Sequence, residues 1–461
     1  MVFSNLIFLY LFLPLCLAAY FLCRSVPAKN AVLIVFSLIF YAWGEPKMVV
    51  LMVLVTLVAY GSGFAIVHFE ARPRAKKAVL IASVVVILGN LVVFKYLNFL
   101  CRTFSFLGLT DPGIALPIGI SFYTFQILSY VIDLYRSKIA LQRNFFYLLM
   151  YVSFFPQLIA GPIVRYETVE QEIRERSVTM DDLAQGFRRF VVGLAKKLLL
   201  ANQVAQVATI VYSGDPANYG SLMYWLAAVA YTLQIYFDFS GYSDMAIGLG
   251  RIMGFRFAEN FRYPFVSGSL TEFWRRWHIS LGSWFRDYVY IPLGGSRVGK
   301  ARWVRNLVIV WGLTGLWHGS TLNFLLWGLL LFALIALERA GWGRVLARSR
   351  VISRVYMVLM IPLSWLLFAI PSVSRIGVYL GRLFPLVSRG IAVNAGDWLQ
   401  YGKQYWWLLV LGIVFSTPGP EKLWNRIRGT WLGTVILALL FWACVYCMSV
   451  ATNDPFMYFS F

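Results

Sequence analysis

The sequence predicts an all-α, polytopic membrane protein of roughly eleven spanning helices plus re-entrant segments, forming one domain across residues 1–461. Two observations carry this prediction. Hydrophobic residues make up 60% of the chain and charged residues 13%, with a mean hydropathy of +0.70. Long apolar stretches recur from Val2 to Val450 with no soluble-sized interval between them, which excludes a soluble enzyme. The first apolar run, from Phe3 to Leu22, has neither a basic leading segment nor a small-residue cleavage site, so it is expected to span and not to be removed.

A span needs about 20 apolar residues. The expected crossings are 3–23, 31–44, 49–69, 78–100, 114–134, 186–212, 221–249, 353–371, 404–417 and 430–449. The net charge of +21 invites a nucleic-acid reading, but in a membrane protein basic residues first of all report topology. The linkers 24–30, 71–77, 135–144, 164–197, 251–305, 338–354 and 417–429 together hold 34 of the 41 Lys and Arg. Placing them in the cytoplasm puts both termini on the opposite side of the membrane. The five cysteines, Cys16, Cys23, Cys101, Cys444 and Cys447, follow no metal-ligand or disulfide spacing and are expected to serve as small packing residues.

Two apolar segments break the alternation. Residues 145–163 and 306–338 are each flanked by basic linkers on both sides, and the second has only 33 residues between Arg305 and Arg339. Both are expected to be hairpins that turn within the bilayer. Irregular backbone at that depth survives only inside protein or against a water-filled cavity, where membrane proteins tend to keep their sites.

The chain has three histidines. His68 ends a span beside Glu70 and reads as an interfacial polar residue. His318 sits at the turn of the second hairpin, thirteen residues past Arg305, which is about 20 Å of helical rise. An ionisable group at such depth is costly and points to function, the alternative being a hydrogen-bonded core histidine. His278 lies in TEFWRRWHISLGSWFRDYVYIPLGGSR, residues 271–297. This stretch is too charged to span and too aromatic for a solvated loop, so it is expected at the cytoplasmic interface. Its arginines would either anchor anionic lipid or dock a phosphorylated cytoplasmic donor. Asp238 and Asp244, near the end of a span, are expected to pair with the basic segment that follows them. No nucleotide-binding or zinc signature occurs, which argues against an ATP-driven pump and against a metalloenzyme.

Five blocks then carry a resemblance: SFYTFQILSYVIDLYR (121–136), FFPQLIAGPIVRY (154–166), DFSGYSDMAIGLGRIMGFRFAENFRYPF (238–265), FWRRWHISLGSWFRDYVYIPLGG (273–295) and GLWHGSTLNFLLWG (315–328). They resemble the membrane-bound O-acyltransferase family, and within it the bacterial branch of alginate O-acetylases, with a core over about 114–338 and a tail at 450–461. The resemblance implies that His318 is the family's catalytic histidine and His278 its second active-site polar residue. It also implies acetyl-CoA as donor substrate, no resident cofactor, and delivery of acetyl outward to alginate, peptidoglycan or cellulose. His318 would take a proton from the attacking hydroxyl, while His278 would either orient the acyl group or stabilise the developing oxyanion. Trp274, Arg275, Arg276, Trp284 and Arg286 are candidates for contacts to the CoA phosphates and adenine.

No outward-facing segment is long enough to hold a polysaccharide, so a separate periplasmic acetyltransferase or esterase-like partner is expected. The chain ends DPFMYFSF, and Phe456, Tyr458 and Phe461 are similar to a short C-terminal motif of the related teichoic-acid D-alanylation system. That similarity makes Tyr458 a candidate acyl relay; without it, Tyr458 reads as an interfacial aromatic. Two other functions share parts of this pattern. A polysaccharide transporter or flippase would not need a histidine paired with an arginine-rich aromatic segment. A D-alanyl transferase would need a surface for a carrier protein in place of a CoA site.

Overall fold

A computed structural model describes residues 1–215, 218–384 and 396–451, so Phe456, Tyr458 and Phe461 lie outside the described residues. The described chain is built from helices joined by turns and by longer irregular stretches such as 104–119 and 253–269. Among the described residues, five helices are long and apolar enough to cross a membrane: Met48–His68, Pro73–Thr103, Leu322–Arg348, Arg350–Ala369 and Trp431–Val450. Phe8–Leu22 and Val26–Ala42 are shorter apolar helices. Their outer faces carry exposed Val, Leu and Trp, among them Val85, Val358, Leu439 and Trp442. In water such a surface would be a liability; against hydrocarbon it is the ordinary solvent-facing side. This is a multi-pass membrane protein.

The chain divides into two compact units, Met1–Val192 with Tyr242–Glu259, and Gly193–Gly241 with Asn260–Phe461. In the first, the expected crossing at 114–134 begins later, because Pro117 and the left-handed Gly119 (φ +75°) delay the helix to Ile120–Tyr135. Most of that helix is buried around its full circumference, so it is a core helix surrounded by others. Residues 145–163 turn as expected. Helix Phe145–Ser153 stops at Phe154 and a single turn, Phe155–Leu158, follows. All of 148–164 is buried, and side chains take up the freed backbone groups. Tyr151 Oη donates to the Val164 carbonyl at 2.8 Å, Gln157 Nε2 donates to the Tyr151 carbonyl at 2.5 Å, and Phe155 N–H donates to Ser37 Oγ at 3.1 Å.

The second hairpin turns at residues 319–321, between two helical arms. Its first arm is Lys300–His318; its second, Leu322–Leu337, runs into a π turn at Glu338–Trp342, kinks at Gly341 (φ +147°) and ends at Arg348. The flanking basic residues are part of the helices themselves, and the second arm is long enough to span.

Glycines set how closely the two arms approach. A Cβ on Gly328 would collide with the Trp311 carbonyl and come within 3.3 Å of the Gly315 Cα, while one on Gly315 would collide with the Phe324 carbonyl. The backbones therefore touch, which is the small-residue packing that membrane helices favour. The tip is held by Asn323, whose Nδ2 donates to the Leu367 and Phe368 carbonyls at 3.0 and 3.3 Å, groups left open at the end of helix Arg350–Ala369. At its base, Asn306 Nδ2 donates to the carbonyls of Leu293 and Gly295. Gly328→Val should force the arms apart and cost about 1–3 kcal/mol, read as a lowered melting temperature in detergent, whereas Leu329→Val, on the same arm, should change it little.

Candidate active site

His278 and His318 both belong to the second unit, and each ends or begins a helix. His318 is the last residue of Lys300–His318 and is 4% exposed. Three aromatic rings meet its imidazole: Trp317 at 4.9 Å between centroids, Trp327 at 5.1 Å and Phe368 at 5.3 Å, all nearly edge-on. Behind Trp327 stand Trp365, stacked at 5.7 Å, and Trp274 at 5.5 Å. Trp277 contacts Trp365 at 5.0 Å and so continues the aromatic wall toward His278. Trp317 touches both histidines, with its ring 5.7 Å from that of His278.

His278 joins two short helices, Leu270–Arg276 and Ile279–Phe285, and adopts left-handed backbone angles (φ 44°, ψ 55°). A non-glycine residue held there costs about 1–3 kcal/mol and persists only where its surroundings enforce it. Several contacts do so. Arg262 N–H donates to the Arg276 carbonyl and Ile279 N–H to the Asn260 carbonyl, both at 2.9 Å. His278 Nδ1 lies 3.1 Å from Asn260 Oδ1, and the Phe239 ring packs edge-on at 4.6 Å. The imidazole is 2% exposed, and burial pushes it down to about 3, so it stays neutral at physiological pH. Its Nε2 has no hydrogen-bond partner among the described residues, nor have the indole N–H groups of Trp274, Trp327 and Trp365.

Glu338, in the hairpin's π turn, positions the helix that leads into His278. Its carboxylate accepts from Leu270 N–H at 2.6 Å, from Thr271 N–H at 2.9 Å and from Thr271 Oγ1–H at 2.6 Å. A buried carboxylate on open N–H groups at a helix start is a strong, charge-assisted cap. The same hairpin thus carries His318 and anchors the segment bearing His278.

The remaining candidates fall in different places. Trp274 belongs to the indole wall beside Trp327, and Trp284 is buried against Phe285 and Tyr288. Arg276 pairs with Glu272 at 2.8 Å and Arg286 with Asp287 at 2.7 Å. Arg275 is exposed. His68 lies at the end of its helix against the Phe69 ring. The expected partners of the two aspartates are corrected. Asp244 pairs with Arg189 at 2.8 Å and Asp238 with Lys197 at 2.6 Å, both from the helical run that precedes them, not from the basic segment that follows. The cause is close helix contact: a Cβ on Gly248 would lie 2.6 Å from the Gly186 carbonyl, and one on Gly241 2.7 Å from that of Gly193.

Residues 90–378 match the membrane-bound O-acyltransferase family. The chain belongs to that family. It is accordingly an O-acyltransferase. It is 36% identical to the probable alginate O-acetylase of Pseudomonas putida and 42% identical to that of Azotobacter vinelandii, in both cases over 100% of this chain and of the relative. It is also 32% identical to the peptidoglycan O-acetyltransferase of Helicobacter pylori, over 74% of this chain and 71% of that protein.

Residue patterns alone did not single out Asn260, Lys197, Glu338 or the Trp317–Trp327–Trp365 wall. The one available signal was a polar residue inside an aromatic run, as Asn260 is in FAENFRYPF. The Lys197–Asp238 pair is almost wholly buried, at 1% and 2% exposure, and Asp238 precedes the Phe239 that braces His278. Removing one partner of a buried pair costs about 3–5 kcal/mol, whereas an apolar replacement of both is often tolerated. Asp238→Leu or Lys197→Met alone should sharply reduce the yield of folded protein by size-exclusion profile, and the Lys197→Met/Asp238→Leu double variant should recover it.

Proposed function

We propose that this enzyme takes acetyl from cytoplasmic acetyl-CoA and passes it across the bacterial inner membrane for O-acetylation of an extracytoplasmic polysaccharide. Alginate is the favoured acceptor and peptidoglycan or cellulose the alternatives. The observation that carries the reading is the pairing of two buried imidazoles that both pack against the Trp317 ring, in a chain whose full-length relatives include probable alginate O-acetylases. Both termini lie on the outer side, as the distribution of Lys and Arg supports. A periplasmic esterase-like partner receives the acetyl group and hands it to the polymer.

The chemistry is one acyl transfer. His318 takes the proton of an attacking hydroxyl as its oxygen bonds to the thioester carbonyl carbon. The tetrahedral oxyanion then collapses, the C–S bond breaks, and the sulfur leaves with the proton returned by His318 as CoA thiol. Donors for the oxyanion are the indole N–H groups of Trp274, Trp327 and Trp365, of which Trp327 contacts His318. Arg275, exposed on the segment bearing His278, is the first candidate for the CoA phosphates. Burial in an aromatic surround strengthens every such polar interaction relative to water.

The first acceptor hydroxyl is that of Tyr458, on the outward tail. A phenol (pKa about 10) is a better leaving group than a sugar hydroxyl, so onward transfer runs downhill. His318→Ala should abolish polymer acetylation at unchanged expression and membrane insertion; acetylation at the wild-type level in that variant would end the catalytic assignment. Tyr458→Phe should abolish polymer acetylation while acetyl-CoA binding persists, and mass spectrometry of the wild-type C-terminal peptide, prepared without the partner, should show an added acetyl group. A fully active Tyr458→Phe enzyme would leave direct transfer to the partner.

A further inference from the structure

We propose that Asn260 is a positioning residue that fixes the tautomer of His278, holding a proton on Nδ1 and presenting Nε2 as a hydrogen-bond acceptor. The inference rests on the acetyl-transfer reading only in taking His278 as part of the site.

A backbone N–H can only donate, and Ser280 N–H lies 3.2 Å from the Asn260 side-chain atom assigned as Oδ1. The amide turned over would set its NH2 group against that N–H, donor against donor. The oxygen therefore faces Ser280, and Ser280 Oγ, 2.9 Å away, donates to it as well. His278 Nδ1 lies 3.1 Å from the same oxygen. Without a proton, Nδ1 would confront it lone pair to lone pair; with one, it makes a third good hydrogen bond. Ser280 Oγ is farther from Nδ1, at 3.4 Å, than from Oδ1, so the hydroxyl proton goes to the amide oxygen. In a neutral imidazole one nitrogen carries the proton and the other is an acceptor, and the bond made by the first decides which. Nε2 is thus the acceptor, and it is buried without a partner among the described residues.

Asn260 is built for this task. Fully buried itself, it accepts Ile279 N–H on its main-chain carbonyl at 2.9 Å while its side chain takes Ser280 N–H and His278 Nδ1–H. One residue therefore clamps the backbone just after the left-handed kink together with the ring that the kink aims. The consequence is a choice between the two roles open to His278. As a neutral acceptor, Nε2 cannot donate to an oxyanion; it receives a hydrogen bond from a substrate group that carries a proton, a hydroxyl or an amide N–H. His278 orients the substrate, and oxyanion stabilisation falls to the indole donors.

The test is direct, because the chain holds only three histidines. The full-length protein, labelled with 15N-histidine and reconstituted in lipid nanodiscs, should give a His278 signal pair, identified by its loss in His278→Gln, with the proton on Nδ1 and a bare Nε2. Asn260→Leu should move the proton to Nε2 or mix the two forms, with kcat falling about tenfold or more while KM for acetyl-CoA changes by less than about threefold. Asn260→Asp, which keeps an oxygen in place, should restore the Nδ1–H signal. A wild-type His278 protonated on Nε2, or an Asn260→Leu protein that keeps Nδ1–H, would overturn the proposal. Should Asn260→Leu fail to fold, the wild-type spectrum and Asn260→Asp still decide it. The spectrum requires no turnover, so a correct tautomer in a protein that does not use acetyl-CoA would count against the acetyl-transfer reading and not against this one.

Discussion

A backbone N–H or carbonyl that leaves a helix inside a membrane protein must find another partner, and the candidate site is organised around that requirement. Both site histidines stand at helix ends, where open groups concentrate. The partners supplied are side chains of a few buried polar residues. Glu338 covers the start of helix Leu270–Arg276, Asn323 takes the open carbonyls at the end of Arg350–Ala369, and Asn260 takes the first N–H groups after His278. Each such contact satisfies a group that would otherwise cost about 1–3 kcal/mol to bury. Each also fixes the position of a side chain that chemistry can use, so stability and site geometry come from the same bonds.

Aromatic packing supplies the second ingredient. The Trp and Phe rings around His318 form an almost continuous wall from Trp274 through Trp327 and Phe368, largely closed to solvent. Edge-on rings give dense, directional packing without competing for the imidazole's hydrogen bonds. A low-polarity surround keeps His278 neutral and makes any correctly placed donor more effective than it would be in water. The Lys197–Asp238 pair shows the other way such an interior tolerates charge, with the two groups 2.6 Å apart and both buried.

The architecture of this protein was legible in its sequence to the extent that one-dimensional physics governs it. Apolar run lengths, basic linkers and the two interrupted segments at 145–163 and 306–338 gave the membrane class and the regions of irregular backbone, because hydrocarbon imposes the same demand on every residue that crosses it. The histidines stood out for a similar reason: an ionisable residue in an apolar hairpin is expensive wherever that hairpin packs. Helix ends were less legible. The hairpin proved longer than its charge-free stretch, because arginines can sit on helices whose ends reach the interface.

What only the tertiary structure decided was which groups meet. No spacing rule brings Asn260 to His278, eighteen residues away, or Glu338 to Leu270, sixty-eight residues away. The sequence likewise could not assign Lys197 to Asp238 in preference to the arginines that follow. Those pairings depend on how helices cross, and the crossings depend on small residues such as Gly186, Gly248, Gly315 and Gly328 that let backbones touch. Residue chemistry alone determined that a polar group buried in this chain must have a partner; helix packing determined which one, and through Asn260 on which nitrogen His278 carries its proton.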